Sequence, residues 1–273
     1  MHQIRLWPKE LDYYSALIGR NRALTQGPGG NTSFKSEDLI WVKASGFNLA
    51  DAEAIPIFCA ISKANPAVSL TDSNMRPSIE SYLHAYIPHP VVIHVHSVGS
   101  ISLAIRKKLT EQQAEIIERN KFGYVEYLKP GENLGIQIGQ LIQQNQQLQG
   151  ALLKNHGIVV WGEEFQITYE ALLNIEEEIC KELGIDTSTT VSHEDIDFLN
   201  RFAFLTPDHA VFSSLIGSEN LQPRNLWIKD VVWCLVLALK SIREGEDVES
   251  LNEKDVEELL NWDLEKHRQR IQK

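Results

Sequence analysis

The segment Val91-Val92-Ile93-His94-Val95-His96-Ser97 is the most informative part of the chain. It reads as a buried β-strand, in which alternate side chains share a face. His94 and His96 are therefore predicted on one face, with Ile93 and Val95 on the other. Two imidazoles one strand step apart can converge on a single cation. The same spacing also fits two strand histidines with ordinary hydrogen bonds, so further ligands are needed to decide.

His156 is the third candidate ligand. Zinc accepts nitrogen ligands and usually takes at least three ligands from the protein. His156 lies in the corner Lys154-Asn155-His156-Gly157, between two strongly apolar strands. Gly157 would let the chain turn sharply and present the ring. We interpret His156 as a metal ligand, the alternative being a turn histidine exposed to water.

Glu80 is the fourth candidate. It opens a helix predicted over residues 76–87, for which Ser78 is a plausible N-cap, directly before the histidine strand. A carboxylate there could be a fourth ligand or a general base beside a metal. The alternative is an ordinary solvated glutamate in a first helical turn. His84, one turn further on, is interpreted as a structural residue.

The pattern around this core alternates strands and helices and predicts an α/β fold. After Gly184, which suits a helix C-cap, the sequence becomes polar and then mostly helical. We therefore expect a first domain over residues 1–185 and a helical extension over 186–273 packed on it, with a charged last helix from Asp247 to Lys273. The predicted strands cover 32–35, 39–44, 55–61, 91–97, 124–128 and two segments within 151–161; the main predicted helices cover 8–26, 76–87, 132–148 and 163–183.

Composition excludes several classes of function. The 273 residues are 43% hydrophobic and 23% charged, and 26 Lys and Arg against 37 Asp and Glu give a net charge of −11. Such an acidic chain is not expected to bind nucleic acid or anionic membranes non-specifically. The longest apolar run, Val231 to Leu239, is far shorter than the roughly 20 residues that span a bilayer. Three cysteines without paired spacing predict buried free thiols, and we expect a cytoplasmic protein.

Small polar residues occupy three predicted corners. They lie in Gly29-Gly30-Asn31-Thr32-Ser33, Ala44-Ser45-Gly46 and Pro77-Ser78. Exposed backbone N–H groups and hydroxyls at such corners could together form an anion-binding nest for phosphate. Each corner alone is only a turn signal.

The order of these motifs, GGNTS, KASG, PSIE, HVHS and KNHG, resembles the class II aldolase/adducin family over about residues 8–184. The resemblance implies a three-layer α/β/α sandwich around a mainly antiparallel sheet, commonly a homotetramer. It implies zinc, or another divalent metal, on three histidines, with a catalytic acid/base carboxylate and a phosphate site. Phe204 to Val211, FLTPDHAV, is similar to a segment that follows the aldolase module of rhamnulose-phosphate aldolase/alcohol dehydrogenases. By the resemblance, the metal ligands are His94, His96 and His156, the acid/base is Glu80, and the phosphate-binding residues are Gly30, Asn31, Ser45, Gly46 and Ser78.

The implied activity is retro-aldol cleavage of a small ketose phosphate through a metal-stabilised enediolate. One alternative is an epimerase, dehydratase or decarboxylase acting on a related sugar phosphate or sugar acid. Another is a non-catalytic interaction module, as in adducin. Retention of three histidines and Glu80 argues against the latter, because a scaffold needs none of them. A third alternative is a domain that a metal merely stabilises. It is less favoured, because structural zinc sites are usually closed, with four ligands that are rich in cysteine.

Overall fold

The computed structural model describes residues 7–36, 38–71, 75–216, 218, 221–263 and 266. Within them, seven strands form one mixed sheet in the order β3-β2-β1-β4-β7-β6-β5. Neighbouring strands are antiparallel except β5 and β6, which are parallel. The strands are β1 (Asn31–Ser36), β2 (Leu39–Lys43), β3 (Phe58–Ser62), β4 (Val91–Val95), β5 (Phe122–Val125), β6 (Gly150–Leu153) and β7 (Gly157–Gly162).

Helices cover both faces of this sheet and form the region after Gly184. They are α1 (Lys9–Arg20), α2 (Ser81–Tyr86), α3 (Val98–Ala104), α4 (Glu111–Arg119), α5 (Glu132–Gln144), α6 (Phe165–Leu183), α7 (His193–Leu199), α8 (Pro207–Val211), α9 (Ile228–Lys240) and α10 (Glu253–Asn261). None of the helices within the described ranges combines the length and the apolar character needed to cross a membrane.

Strand β4 lies in the middle of the sheet, and its alternation divides the core. Val91, Ile93 and Val95 pack with the buried faces of α1, α4 and α6. Val92 packs on the opposite side, with α2 and α5. Each such fully buried side chain contributes about 1.5–3 kcal/mol relative to exposure. The predicted α/β sandwich and the predicted facing of β4 are therefore confirmed, and His94 lies on the side of Val92.

Local backbone pairing corrects the helix predicted over residues 76–87. The helix begins only at Ser81, and the backbone N–H of Ser78 donates to Lys43 while the backbone N–H of Ser45 donates to Arg76. Residues 76–78 therefore extend alongside the end of β2 instead of turning into a helix. Ser78 is not the N-cap residue, which is Glu80. The prediction failed because it rested on local helix signals, and the pairing of residues 76–78 with the end of β2 overrides those signals.

The region after Gly184 is predominantly helical, as predicted. Gly184 is left-handed at the end of α6, in agreement with its predicted cap role. The charged helix predicted from Asp247 begins only at Glu253, where the Asn252 side chain caps α10, so the predicted start was wrong. The end of that predicted helix lies outside the described residues. All three cysteines are free; Cys59 and Cys234 are buried as predicted, whereas Cys180 is only partly buried.

The region from residue 185 onward, here named the tail, is fastened to the sheet domain by buried polar contacts. Arg106, after α3, is fully buried and donates to the carbonyl oxygen of Ser241 at 2.7 Å and to Glu246 at 3.2 Å. The Asn155 amide donates to the carbonyl oxygens of Leu205 at 2.9 Å and Glu249 at 2.7 Å. The corner that carries His156 is thus bonded directly to the tail.

Candidate metal centre

Four buried side chains converge at the end of β4. His94 lies in the strand, His96 follows its last residue, His156 lies in the corner between β6 and β7, and Glu80 directly precedes α2. One ligand atom from each lies within 4.8 Å of all the others. The structure thus brings together the four residues that the sequence nominated as ligands and acid/base.

Hydrogen bonds on the far side of two rings fix which nitrogen faces the centre. His94 Nδ1 lies 2.9 Å from the carbonyl oxygen of Ile158, and His96 Nδ1 lies 2.8 Å from Asp208 Oδ2. Carbonyl and carboxylate oxygens only accept, so each Nδ1 carries the hydrogen. In the neutral rings, Nε2 therefore presents a lone pair toward the centre, which is the form that binds a metal.

The inward atoms are close together. His94 Nε2 and His96 Nε2 lie 3.1 Å apart, and Glu80 Oε1 lies 3.0 Å from His94 Nε2 and 2.9 Å from His156 Nε2. With zinc–nitrogen bonds of about 2.0–2.1 Å, two ligands of a tetrahedral ion are about 3.3 Å apart. The spacing of these acceptors is therefore close to that of a zinc-sized coordination sphere.

Burial and neighbouring charges shift the pKa values of three of these side chains. Burial alone would raise the pKa of Glu80, but His94 and His156 outweigh it and hold that pKa well below its usual value. Burial alone would lower the pKa of His94, but the Glu80 carboxylate outweighs it and raises that pKa. Burial lowers the pKa of His156 to about 4, against the attraction of Glu80. His156 is thus held neutral, as a metal ligand must be.

Two atoms of the centre are unsatisfied by protein hydrogen bonds. Among the residues that the structure describes, Glu80 Oε1 and His156 Nδ1 are buried without such a partner, and the two imidazole nitrogens beside Oε1 lie at ion-pair distance. Buried polar atoms normally have one, and an exception calls for an explanation. A divalent ion between the inward atoms would engage Glu80 Oε1, and three imidazoles with a carboxylate are a donor set that zinc accepts. The residues present therefore fit a metal of this class.

A chain of hydrogen bonds orients Glu80. Ser33 Oγ lies 2.6 Å from His84 Nδ1, and the other ring nitrogen, Nε2, contacts the amide oxygen of Asn31. The Asn31 amide nitrogen donates to Glu80 Oε2 at 2.6 Å and to Ser78 Oγ at 3.2 Å. Burial, reinforced by Lys35, lowers the pKa of His84 well below its usual value, so the ring is neutral. His84 thus has the structural position expected for it, and it directs Asn31 toward Glu80.

The residues nominated for phosphate lie around these contacts. Asn31 and Ser78 are hydrogen-bonded to each other, and Ser45 and Gly46 follow β2 beside residues 76–78. Gly30 has a φ of +66°, and a Cβ at that position would lie 2.8 Å from the carbonyl oxygen of His94. The amide head of Asn31 is engaged by protein partners on both sides. Phosphate binding by this group remains a prediction.

Asp208, in α8, contacts the centre, and the sequence analysis did not assign it to the site. Its carboxylate accepts the hydrogen bond from His96 although the two residues are 112 positions apart. The segment FLTPDHAV carries a usable local signal, because Thr206 caps α8 with Pro207 at the first helical position. That signal predicts a helix start, but it does not predict what the helix meets.

Comparison with known proteins assigns the sheet domain to a family. A family model described as the class II aldolase and adducin N-terminal domain matches residues 9–182. The chain is 32% identical over 197 residues to the uncharacterized oxidoreductase YuxG of Bacillus subtilis, which covers 62% of this chain but only 28% of that protein. It is 26% identical over 153 residues to an L-fuculose phosphate aldolase of Methanococcus maripaludis, covering 55% of this chain and 81% of that one.

Solved structures share the fold. The N-terminal class II aldolase domain of a conserved Thermoplasma acidophilum protein superposes with a TM-score of 0.55 at 24% identity, over 67% of this chain and 97% of that one. YgbL of Escherichia coli, a putative aldolase/epimerase/decarboxylase, superposes with a TM-score of 0.52 at 20% identity, over 68% and 93% of the two chains. At these identities the similarity concerns architecture alone.

Proposed function

The chain belongs to the class II aldolase and adducin N-terminal domain family, and on that premise we propose that it is a zinc-dependent aldolase that cleaves a small ketose phosphate. The observation that carries the proposal is the convergence of four buried ligand atoms within 4.8 Å of one another. A non-catalytic module has no use for such a centre, because burying imidazoles and a carboxylate together is unfavourable unless a cation or hydrogen bonds compensate.

In this proposal, Nε2 atoms of His94, His96 and His156 hold the ion, with Glu80 beside it. Zinc on three histidines keeps a coordination position open and supplies Lewis acidity toward the carbonyl and hydroxyl oxygens of a ketose. The burial of all four side chains keeps bulk water from the centre. Exclusion of water strengthens the electrostatic effects on which such chemistry depends.

Glu80 is the proposed acid/base. Retro-aldol cleavage breaks a carbon–carbon bond, and the electron pair left on the ketose fragment must finally take up a proton at carbon. Glu80 would deliver that proton and remove it in the reverse direction. The hydrogen bond from Asn31 to Oε2 holds the carboxylate with Oε1 toward the three imidazoles. Gly30, Asn31, Ser45, Gly46 and Ser78 are proposed to bind the phosphate, and the assembly is proposed to be a homotetramer.

The first test is metal content per chain by elemental analysis of untagged protein, for the wild type and His156→Ala. We expect about one zinc, or another divalent ion, per chain in the wild type and its loss in the variant. His89→Ala is the control, because His89 lies outside the centre and pairs with Glu163. A folded wild type that takes up no metal when zinc is offered would contradict the proposal and favour the adducin-like interaction module.

The second test is a screen of ketose phosphates for aldehyde release, with the wild type and Glu80→Gln. We expect the wild type to cleave the substrate. Glu80→Gln should retain the metal but lose turnover. Isomerised substrate, loss of water or release of carbon dioxide would instead identify an epimerase, a dehydratase or a decarboxylase. Wild-type turnover by Glu80→Gln would remove Glu80 from the mechanism.

A further inference from the structure

Asp208 connects the tail to the candidate metal centre. Its Oδ2 lies 2.8 Å from His96 Nδ1, and both residues are nearly fully buried, with exposures of 6% and 7%. Asp208 belongs to α8 and lies beyond residue 182, where the match to the family domain ends. The contact therefore joins His96, inside the matched family domain, to a residue outside it.

The surrounding chain is built to hold this contact. Thr206 caps α8 by accepting from the backbone N–H of His209, which fixes the helical turn that carries Asp208. The carbonyl oxygen of Leu205, three residues before Asp208, accepts from Asn155, the neighbour of ligand candidate His156. The helix is thus anchored to the same corner of the sheet that supplies the third imidazole.

Gly29 provides the space for the contact. A Cβ added at Gly29 would lie 3.3 Å from both His96 Nδ1 and Asp208 Oδ2, and 3.0 Å from the carbonyl oxygen of Gln26. A side chain at this position would crowd the hydrogen bond from both ends. The loop before β1 thus leaves room for a carboxylate that the tail contributes.

The three imidazoles differ in what supports their outer nitrogen. His94 Nδ1 donates to a neutral backbone carbonyl, His96 Nδ1 donates to a carboxylate, and His156 Nδ1 has no hydrogen-bond partner in the part of the chain that the structure describes. A carboxylate on the outer nitrogen fixes the tautomer and the ring orientation and makes the inner nitrogen more basic. Of the three, His96 is therefore the one whose outer nitrogen is held by a charged acceptor.

We propose that Asp208 is a positioning residue for His96, holding hydrogen on Nδ1 so that Nε2 presents its lone pair toward the metal. The tail is then part of the site and not only a covering for the sheet domain. This inference rests on the proposed function for its metal, but the state of the His96 ring can be measured without one.

Zinc affinity tests the proposal. Competition with a chromophoric chelator is carried out for the wild type, Asp208→Ala and Asp208→Asn, with Asp195→Asn as a control that breaks another tail ion pair, to Lys240. We expect Asp208→Ala to weaken zinc binding about 10- to 100-fold. Asp208→Asn, whose amide oxygen can still accept, should lose less, and Asp195→Asn should match the wild type. Wild-type affinity in Asp208→Ala would overturn the proposal; if that variant does not fold, wild-type affinity in Asp208→Asn would do so.

Histidine ¹⁵N NMR of the chelator-treated proteins provides a readout independent of metal. In the wild type, His96 should carry hydrogen on Nδ1, and Asp208→Ala should lose that preference while His94 keeps its own tautomer. An unchanged His96 tautomer in Asp208→Ala would overturn the proposal. If the wild type binds no zinc, the proposed function fails, whereas the tautomer of His96 still decides the role of Asp208.

Discussion

At the scale of single residues, the centre depends on an amide and an imidazole that hold Glu80 in place. Asn31 is opposite His94 in the pairing of β1 with β4, so the two side chains share a face of the sheet. The Asn31 amide has one available orientation. Neutral His84 donates to its oxygen, and its nitrogen must face Glu80, which needs a donor. A side chain nominated for phosphate on resemblance thus also holds the acid/base in place.

Removing that amide should loosen Glu80. We expect Asn31→Ala to weaken zinc binding about 10- to 100-fold, because Glu80 Oε2 loses its buried donor at 2.6 Å. Ser33→Ala is the matched control: it removes a buried hydroxyl from the same strand, two hydrogen bonds further from Glu80 than Asn31, and should have a smaller effect. Chelator competition measures both. Equal affinities for Asn31→Ala and the wild type would show that Glu80 does not depend on Asn31.

At the scale of elements, two glycines share a left-handed backbone conformation but differ in how closely other atoms surround them. Gly30, before β1, has a φ of +66°, and an added Cβ would lie 2.8 Å from the carbonyl oxygen of His94. Gly184, after α6, has a φ of +65°, and no atom of the described residues lies within 4 Å of an added Cβ. Both need the glycine conformation, but only Gly30 also needs the missing side chain.

The two alanine variants should therefore differ in stability. Gly184→Ala is expected to lower the free energy of unfolding by about 1–2 kcal/mol, the cost of a left-handed alanine. Gly30→Ala should lower it by about 2–4 kcal/mol, because backbone must also shift. Urea unfolding measures both variants. Equal losses would mean that the turn before β1 relaxes without strain against β4.

The elements that the sequence predicted well are those whose pattern is local. Alternation in Val91 to Val95, and the long amphipathic stretch of α6 closed by Gly184, each need only their own residues. The helix predicted from residue 76 failed because Ser78 pairs with Lys43, a partner 35 positions earlier in the chain. Where a distant strand forms backbone hydrogen bonds with the residues before a helix, the first residue of that helix cannot be predicted from local sequence.

At the scale of the whole molecule, the same reasoning explains which part of the centre was predictable. His94 and His96 share a strand, and their common face follows from its period. His156 was nominated because a histidine in a polar corner between two apolar strands has no packing role, and Glu80 because its predicted helix directly precedes the histidine strand. Asp208 could not be found this way, because its partner lies 112 positions away and nothing local marks which helix packs on which ring.

The tail should also make the stability of the whole chain sensitive to acid. His209, in α8, is buried, and its Nδ1 accepts from the backbone N–H of Leu205 at 3.2 Å. Burial lowers the pKa of His209 to about 4. An unfolded histidine titrates near 6.5, so between pH 6.5 and about 4 the unfolded chain takes up a proton that the folded chain does not. This residue therefore lowers the free energy of unfolding as the pH falls through that window, by at most about 3 kcal/mol.

His209→Asn should remove this contribution while keeping an acceptor for Leu205. Urea unfolding at pH 7 and pH 4.5 measures the loss of stability in each protein, and the variant should lose less than the wild type. His193→Asn, which removes an exposed histidine from α7, controls for the loss of a histidine from the tail. Because other buried histidines, such as His84, titrate in the same direction, only the difference between proteins is informative. Identical losses in His209→Asn and the wild type would show that α8 opens before His209 is protonated, and that the tail is held less firmly than its buried contacts indicate.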